Sequence, residues 1–268
     1  MPNSVTTEPA ASSVGLGSGV ETQLRFGTKV DTAISLVLPM FNEGPVVEAT
    51  LTRALGFLDR LFEDFEIVVA DDGSTDDSAE KVARWAAGDA RFKLVRLPVN
   101  QRFGGALRAG LCAASNELLV YTDFDLPVAL NSLPRILGEF SDADVLTGYS
   151  DSVPKDANWR CRMISRGYNS LVRGLFGLSL RDINFGFKAI RKSVWDQLAL
   201  HSCSPFVDAE LFIRARRQSF RVKEVAVPFC QRQLGASHIR RFDVIAATLW
   251  DMARLRWELS GDQKRQKR

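Results

Sequence analysis

The chain has 268 residues, 46% of them apolar and 25% charged, which suits one large soluble domain whose core needs no staples. Net charge is only +3, two histidines exclude a His-rich metal centre, and four cysteines without CxxC spacing indicate neither a zinc site nor a disulfide framework. No run of about 18 or more apolar residues is present, so no transmembrane helix is expected, and no basic segment followed by an apolar one opens the chain, so no signal peptide is expected.

Residues 1–30, rich in Ser, Thr, Gly and Ala, read as a flexible leader. Ala33-Ile-Ser-Leu-Val-Leu38 then reads as a buried strand closed by Pro39, and Gly44-Pro45 opens a helix. Glu66–Ala70 is a second strand. The turn Asp71-Asp-Gly-Ser-Thr-Asp76 follows it, and its side chains suit a helix N-cap. Strands are expected over 92–97, 117–122 and 143–147, with helices over 104–114 and 131–140 between them. Cys112 and Cys230 lie among apolar residues and read as buried free thiols, which makes a reducing, cytoplasmic setting the default. Strand and helix alternating at this interval predict right-handed βαβ units and an α/β fold with a mostly parallel sheet.

The second half is more helical, with long helices expected over 159–176 and 208–218 and a short strand over 221–227. From Phe212 onward there are 14 Lys/Arg against 5 Asp/Glu, and residues 241–268 read as a basic amphipathic helix and tail. Such a segment suits a membrane surface or packs on the domain. Nucleic acid is not expected as a partner, because neither interleaved aromatics of the RNP kind nor a DNA-binding motif is present.

Ligands of an open α/β sheet bind at the carboxyl ends of its strands. Three polar clusters fall there: Asn42-Glu43, Asp71-Asp72 and Asp123-Phe-Asp125. In an extended chain Asp123 and Asp125 point to the same side, roughly 6.5–7 Å apart at Cα. Two carboxylates so placed can hold one hard cation, Mg²⁺ or Mn²⁺, and through it a diphosphate. A polar turn after a strand has the same sequence. Gly73 permits a tight turn, and an Asp beside it could accept bonds from a base or a ribose. Asn100-Gln-Arg-Phe-Gly104-Gly105 could bring backbone and Arg108 near a phosphate. It is neither a Walker loop nor a GxGxxG fingerprint, which disfavours a dehydrogenase.

Val37-Leu-Pro-Met-Phe-Asn-Glu43, Val68-Val-Ala-Asp-Asp-Gly-Ser-Thr-Asp76 and the Asp123/Asp125 pair together resemble glycosyltransferase family 2. Ser165-Arg-Gly-Tyr-Asn169, Asp182-Ile-Asn-Phe-Gly-Phe-Lys188, Phe206-Val-Asp-Ala-Glu210 and Arg232-Gln-Leu-Gly-Ala-Ser237 are similar to its polyprenyl-phosphate branch, typified by dolichyl-phosphate mannose and glucose synthases. The resemblance spans about residues 33–240 and implies a single GT-A domain over 31–240. It implies a nucleotide-sugar site of Pro39, Asn42, Glu43, Asp71, Asp72 and Asp123, to which the reading of the 100–108 segment adds Gly104 and Arg108, with Asp123 and Asp125 on the metal. It also implies Asp182 and Glu210 near the sugar or acceptor, and catalytic roles for Asp208 and Arg232. Ser165, Arg162, Arg166 and Ser237 are expected at the acceptor phosphate.

The chain departs from that branch at three positions. Pro127 stands where members often carry a Gln metal ligand, Ser150 where many carry Arg, and His238 where Lys commonly follows the loop Ser. Arg160, Arg162 or Arg166 could substitute. The reaction so implied is an inverting transfer of a hexose from GDP-mannose or UDP-glucose to a polyprenyl phosphate. The protein would visit the bilayer peripherally, alone or with an integral-membrane partner. A soluble or saccharide acceptor, or a non-catalytic nucleotide-sugar-binding homologue, are the alternatives.

Overall fold

A computed structural model describes residues 29–127, 130–150, 159–227 and 242–266, apart from the side chains of 131, 159–162, 242 and 262–266. Strand β1 (Ile34–Met40) and strand β2 (Phe65–Asp71) are buried along their whole length. Such continuous apolar runs belong to parallel strands covered on both faces. Between them helix α1 (Val47–Leu61) buries Val47, Leu51, Ala54 and Leu58, a single stripe at helical spacing. Helix α2 (Ser78–Gly88), strand β3 (Phe92–Arg96), helix α3 (Arg102–Ala113) and strand β4 (Leu118–Thr122) continue the βαβ winding. Helix α4 (Leu133–Gly138) is shorter than expected, with 3-10 turns on both sides, and strand β5 (Val145–Tyr149) follows it. Helix α5 (Trp159–Phe176), strand β6 (Phe187–Arg191), the one-turn helix α6 (Lys192–Trp195), helix α7 (Val207–Arg217), strand β7 (Val222–Ala226) and helix α8 (Phe242–Gln266) complete the described elements.

The sheet order is β3-β2-β1-β4-β6-β5-β7. β1, β2, β3 and β4 are mutually parallel, as expected, but β6 runs antiparallel to both β4 and β5. The sheet is therefore mixed on one side. Successive residues of β1 and β2 serve opposite layers. Leu36, Leu38, Ile67 and Val69 pack under α1, α2 and α4, whereas Val37 and Val68 pack under α3, α7 and α8. Sheet and helices form a three-layer GT-A-like fold.

Pro39 lies inside β1 and does not close it. Met40 O accepts the Asp72 N–H at 2.8 Å, so the Pro39 backbone faces the β4 side, where pairing has already ended at Val37↔Tyr121. No ladder bond is lost. Val30 is also ordered: its N–H donates to Leu61 O at 2.7 Å. The rest of the expected leader, residues 1–28, lies outside the described residues. Cys112 is exposed, contrary to expectation, because α3 turns Leu107, Gly110 and Leu111 to the sheet and Cys112 outward. Cys230 lies outside the described residues.

Candidate active site

β2 and β3 lie on one side of β1 and β4 on the other. That is the switch point at which loops part and leave a crevice at the carboxyl ends of the strands. Asn42 takes a left-handed backbone, φ 54°, which an Asn tolerates. Its Oδ1 accepts the Thr75 N–H at 2.9 Å, and its own N–H donates to Ser74 Oγ at 2.9 Å. Next to it the N–H of Glu43 donates to Ser78 Oγ and that of Gly44 to Asp76 Oδ2. Lys81 Nζ donates to Gly44 O at 2.7 Å. The loops after β1 and β2 are thus sewn into one wall, and Asn42 acts as a seam.

Asp71 and Asp72 end β2. Asp71 is fully buried, takes the Ser74 N–H on Oδ1 and faces Arg96 Nε at 3.4 Å with Oδ2. Gly73, φ 72°, makes the turn, and its missing Cβ leaves 3.2 Å to the backbone of Val99 and Asn100. Asp72 Oδ1 accepts the Gln101 N–H at 2.6 Å. Burial pushes the Asp72 carboxyl above its ordinary value, the Gln101 N–H partly offsets this, and the neighbouring Asp71 charge adds to the rise.

Asp123 and Asp125 follow β4 in a turn, not in the extended chain expected: the Leu126 N–H donates to Asp123 O at 3.0 Å, and Leu126 has φ 49°. Alternation survives the turn, since Phe124 and Leu126 enter the core while both carboxylates stay half-buried. Gly186, just before β6, lies against Asp123, because a Cβ there would stand 2.9 Å from Asp123 Oδ2 and 3.2 Å from Pro127 Cγ. Sequence reading had not singled out Gly186. Its signal was a glycine between Phe185 and Phe187, both buried.

Asp208 opens α7 and is buried. Its Oδ1 accepts the Tyr121 hydroxyl at 2.7 Å and its Oδ2 the Lys188 ammonium at 2.5 Å. Tyr121 belongs to β4 and Lys188 to β6, paired across the sheet. Burial first, and then the Asp208 and Asp123 charges, hold the Tyr121 hydroxyl well above its ordinary range, so it stays a donor. Tyr121 stands two residues before Asp123 at the end of β4, which brings the triad close to the acidic pair along the chain. Burial and then Asp208 likewise push Tyr168 of α5 upward.

Several expected site residues sit elsewhere. Gly104 and Arg108 were expected at the donor phosphates. Instead the Gly104 N–H donates to Cys203 O at 2.8 Å, and the Arg108 guanidinium is bonded to Ser202 O. A Cβ on Gly104 would stand 2.3 Å from that same carbonyl. Both residues clasp the 201–204 loop. Glu210 was expected near the sugar. It is fully buried, takes the His201 and Ser202 N–H groups on Oε2 and Arg214 Nε on Oε1. Two positions along a helix turn a side chain by about 200°, so Asp208 and Glu210 cannot share a target. Ser165 and Arg166 lie exposed on α5 and Asp182 half-buried in the loop before β6. Arg232, Ser237 and the Arg162 side chain lie outside the described residues.

Glu210 has a consequence for acid stability. Burial pushes its carboxyl up, but donors from Ser202 and Arg214 outweigh burial and leave it below the ordinary glutamate value. A carboxyl lowered by folding adds stability that is present above its ordinary value and lost as pH falls through its folded value. Thermal melts are expected to fall progressively below about pH 4.5, and less steeply in Glu210→Gln, which starts from a lower melting temperature near neutrality. An unchanged slope in that variant would contradict this role.

The donor set at β4 fits a hard divalent cation. No third His, Cys, Asp or Glu joins the acidic pair among the described residues, but Mg²⁺-type sites are commonly completed by substrate phosphates and water around one or two carboxylates. No helix among the described residues is long and apolar enough to cross a membrane.

Comparisons with known proteins agree with this geometry. The family model "Glycosyl transferase family 2" matches residues 35–198. The chain is 32% identical over 221 residues to glycosyltransferase AglD of Haloferax volcanii, covering 79% of this chain and 35% of AglD. It is 30% identical over 207 residues to undecaprenyl-phosphate 4-deoxy-4-formamido-L-arabinose transferase of Edwardsiella ictaluri, covering 76% of this chain and 62% of that protein. The chain thus spans only part of these relatives. The fold matches that of glucosyl-3-phosphoglycerate synthase from Mycobacterium tuberculosis in complex with Mn²⁺, UDP and glucosyl-3-phosphoglycerate, with a TM-score of 0.60 at 20% identity over 92% of this chain and 86% of that one. It also matches mannosyltransferase PcManGT from Pyrobaculum calidifontis in complex with GDP-Man and Mn²⁺, with a TM-score of 0.60 at 18% identity over 84% and 65% of the two chains. The match over most of the ordered domain and the motifs gathered at the β1, β2 and β4 ends assign the chain to glycosyltransferase family 2.

Proposed function

We propose that the protein moves a hexose from a nucleotide sugar, GDP-mannose or UDP-glucose, to a polyprenyl phosphate at a membrane surface, with inversion at the anomeric carbon. The observation that carries this reading is the acidic pair Asp123/Asp125 at the switch point beside the Asp71–Asp72 wall. The likeness to an undecaprenyl-phosphate transferase supports the acceptor class.

Asp71, Asp72 and the Asn42 seam would hold the nucleoside between the two sewn loops, with Pro39 and Glu43 on the same wall. Asp123 and Asp125 would hold Mg²⁺ or Mn²⁺, which when bound neutralises charge on the departing diphosphate. The acceptor phosphate oxygen attacks the anomeric carbon, the bond to the diphosphate oxygen breaks, and the nucleoside diphosphate leaves with the electron pair. No proton need move, since a phosphate monoester is largely dianionic near neutrality with a second pKa of about 6. This matters for Asp208. A hydroxyl acceptor would need it as a base, yet both its oxygens are engaged by Tyr121 and Lys188. The triad suits a fixed charge that orients sugar and acceptor. Arg162, Arg166, Ser165 and the Arg232–Ser237 segment remain the proposed acceptor-phosphate contacts, with Asp182 beside the sugar.

The test is incubation with each labelled donor, Mn²⁺ or Mg²⁺, and a short polyprenyl phosphate. A labelled sugar-phosphate lipid is expected from one donor. Donor binding without lipid product from either would overturn the acceptor assignment.

A further inference from the structure

Helix α8 carries buried and exposed apolar rows together. Met252, Leu255 and Leu259 enter the core, and Asp251 accepts the Cys203 and Ser204 N–H groups. On another side, Ala246, Trp250, Ala253 and Trp257 recur at helical spacing and are all exposed, Trp250 at 72% and Trp257 at 83%. Ile245 and Leu249 flank that row, also exposed. Two acidic residues of the helix are engaged elsewhere, since Asp251 faces inward and Glu258 pairs with Arg214, while Asp243 stands exposed at the helix start. Helix α5 repeats the pattern with exposed Ile164, Leu171 and Leu175.

Where the two helices meet α7, a cavity of about 340 Å³ opens. Leu175, Ile213 and Leu259 wall it, and Arg216, Arg217 and Arg256 line it. All three arginines are exposed and none has a carboxylate partner among the described residues; Arg216 reaches only Gly177 O, at 3.4 Å. Arg256 stands seven residues from Leu249, hence on the same side of α8. A cavity whose walls mix leucine and isoleucine with three guanidinium groups that have no carboxylate partner among the described residues, on a face that also exposes Leu249 and Leu175, matches one chemistry: a phosphate headgroup joined to hydrocarbon.

We propose that this cleft docks anionic phospholipid headgroups and thereby seats the α5/α8 face on a negatively charged bilayer. The site is separate from the carboxyl ends of β1, β2 and β4 and does not depend on the acceptor proposed above.

The test is co-sedimentation of the intact chain with vesicles of 30% phosphatidylglycerol in phosphatidylcholine, free of polyprenyl phosphate, against pure phosphatidylcholine. Binding to the anionic vesicles is expected, falling with salt. Each arginine near an anionic surface contributes about fivefold, so Arg256→Gln should weaken binding by about that factor and the triple glutamine variant on the order of a hundredfold. Arg256→Gln, at an exposed position with no carboxylate partner among the described residues, guards against misfolding of the triple variant. Equal binding to both vesicles, or to neither, would overturn the proposal. A concentration-dependent dimer abolished by Trp250→Ala/Trp257→Ala, without vesicle binding, would assign the face to a second copy of the chain.

Discussion

Replacing Asp125 with alanine is expected to cut sugar transfer by about 10²–10³-fold while leaving the melting temperature within a few degrees of the parent. The two halves of this expectation come from different atoms of one turn. Packing is carried by Phe124 and Leu126, which are buried, and the turn itself by the Leu126 N–H on Asp123 O. Asp125 contributes a half-buried carboxylate to the crevice, with its Oδ1 shielded from solvent. Its loss leaves one carboxylate at β4, so the apparent requirement for Mn²⁺ should rise together with the fall in rate. Asp123→Ala is expected to lose as much activity but to be less clean, because Gly186 packs against that carboxylate. Initial rates over a metal titration, with a melt of each variant, decide the matter. An unchanged rate in Asp125→Ala would remove the acidic pair from the mechanism, and a collapsed melting temperature would make the pair structural.

The contrast between this turn and α7 shows what a sequence discloses. Asn42, Asp71, Asp72, Asp123 and Asp125 were legible because each directly follows an apolar run, and the end of a parallel strand is where an α/β fold keeps its site. β6 was not legible as a strand. Its second residue is Lys188, only 1% exposed, and a lysine there breaks the apolar pattern by which buried strands are recognised. Its burial makes sense only with Asp208, twenty residues further on. Asp208 and Glu210 were drawn to the site together by likeness to a family motif. Helix geometry separates them: one faces the sheet and the other anchors the 201–204 loop, with Arg214 one turn on as its partner. Gly104 and Arg108 misled for a related reason. A glycine-rich helix start looks the same whether it makes room for a phosphate or, as here, for the Ser202 carbonyl. The missing information was always long-range contact.

The Lys188–Asp208 pair gives the second large effect, and one that separates stability from function. Lys188→Met leaves the Asp208 carboxylate buried with the Tyr121 hydroxyl still donating to it, and breaking a buried pair from one side costs about 3–5 kcal/mol. For a chain of this size that is a fall in melting temperature of roughly 10 °C. Adding Asp208→Asn removes the stranded charge, keeps an acceptor for the Tyr121 hydroxyl, and is expected to return most of the lost stability. Transfer should not return with it. If Asp208 serves as a fixed negative charge beside the acidic pair, the double variant is well folded and slow, with the loss in kcat and little change in KM for the donor. If the triad only holds β4, β6 and α7 together, activity recovers in step with the melting temperature. A pH profile adds a third reading. A positioning charge on a phosphate acceptor leaves the limb set by the acceptor's own ionisation near pH 6 in both parent and Asp208→Asn, whereas a general base at Asp208 predicts a profile that differs between the two.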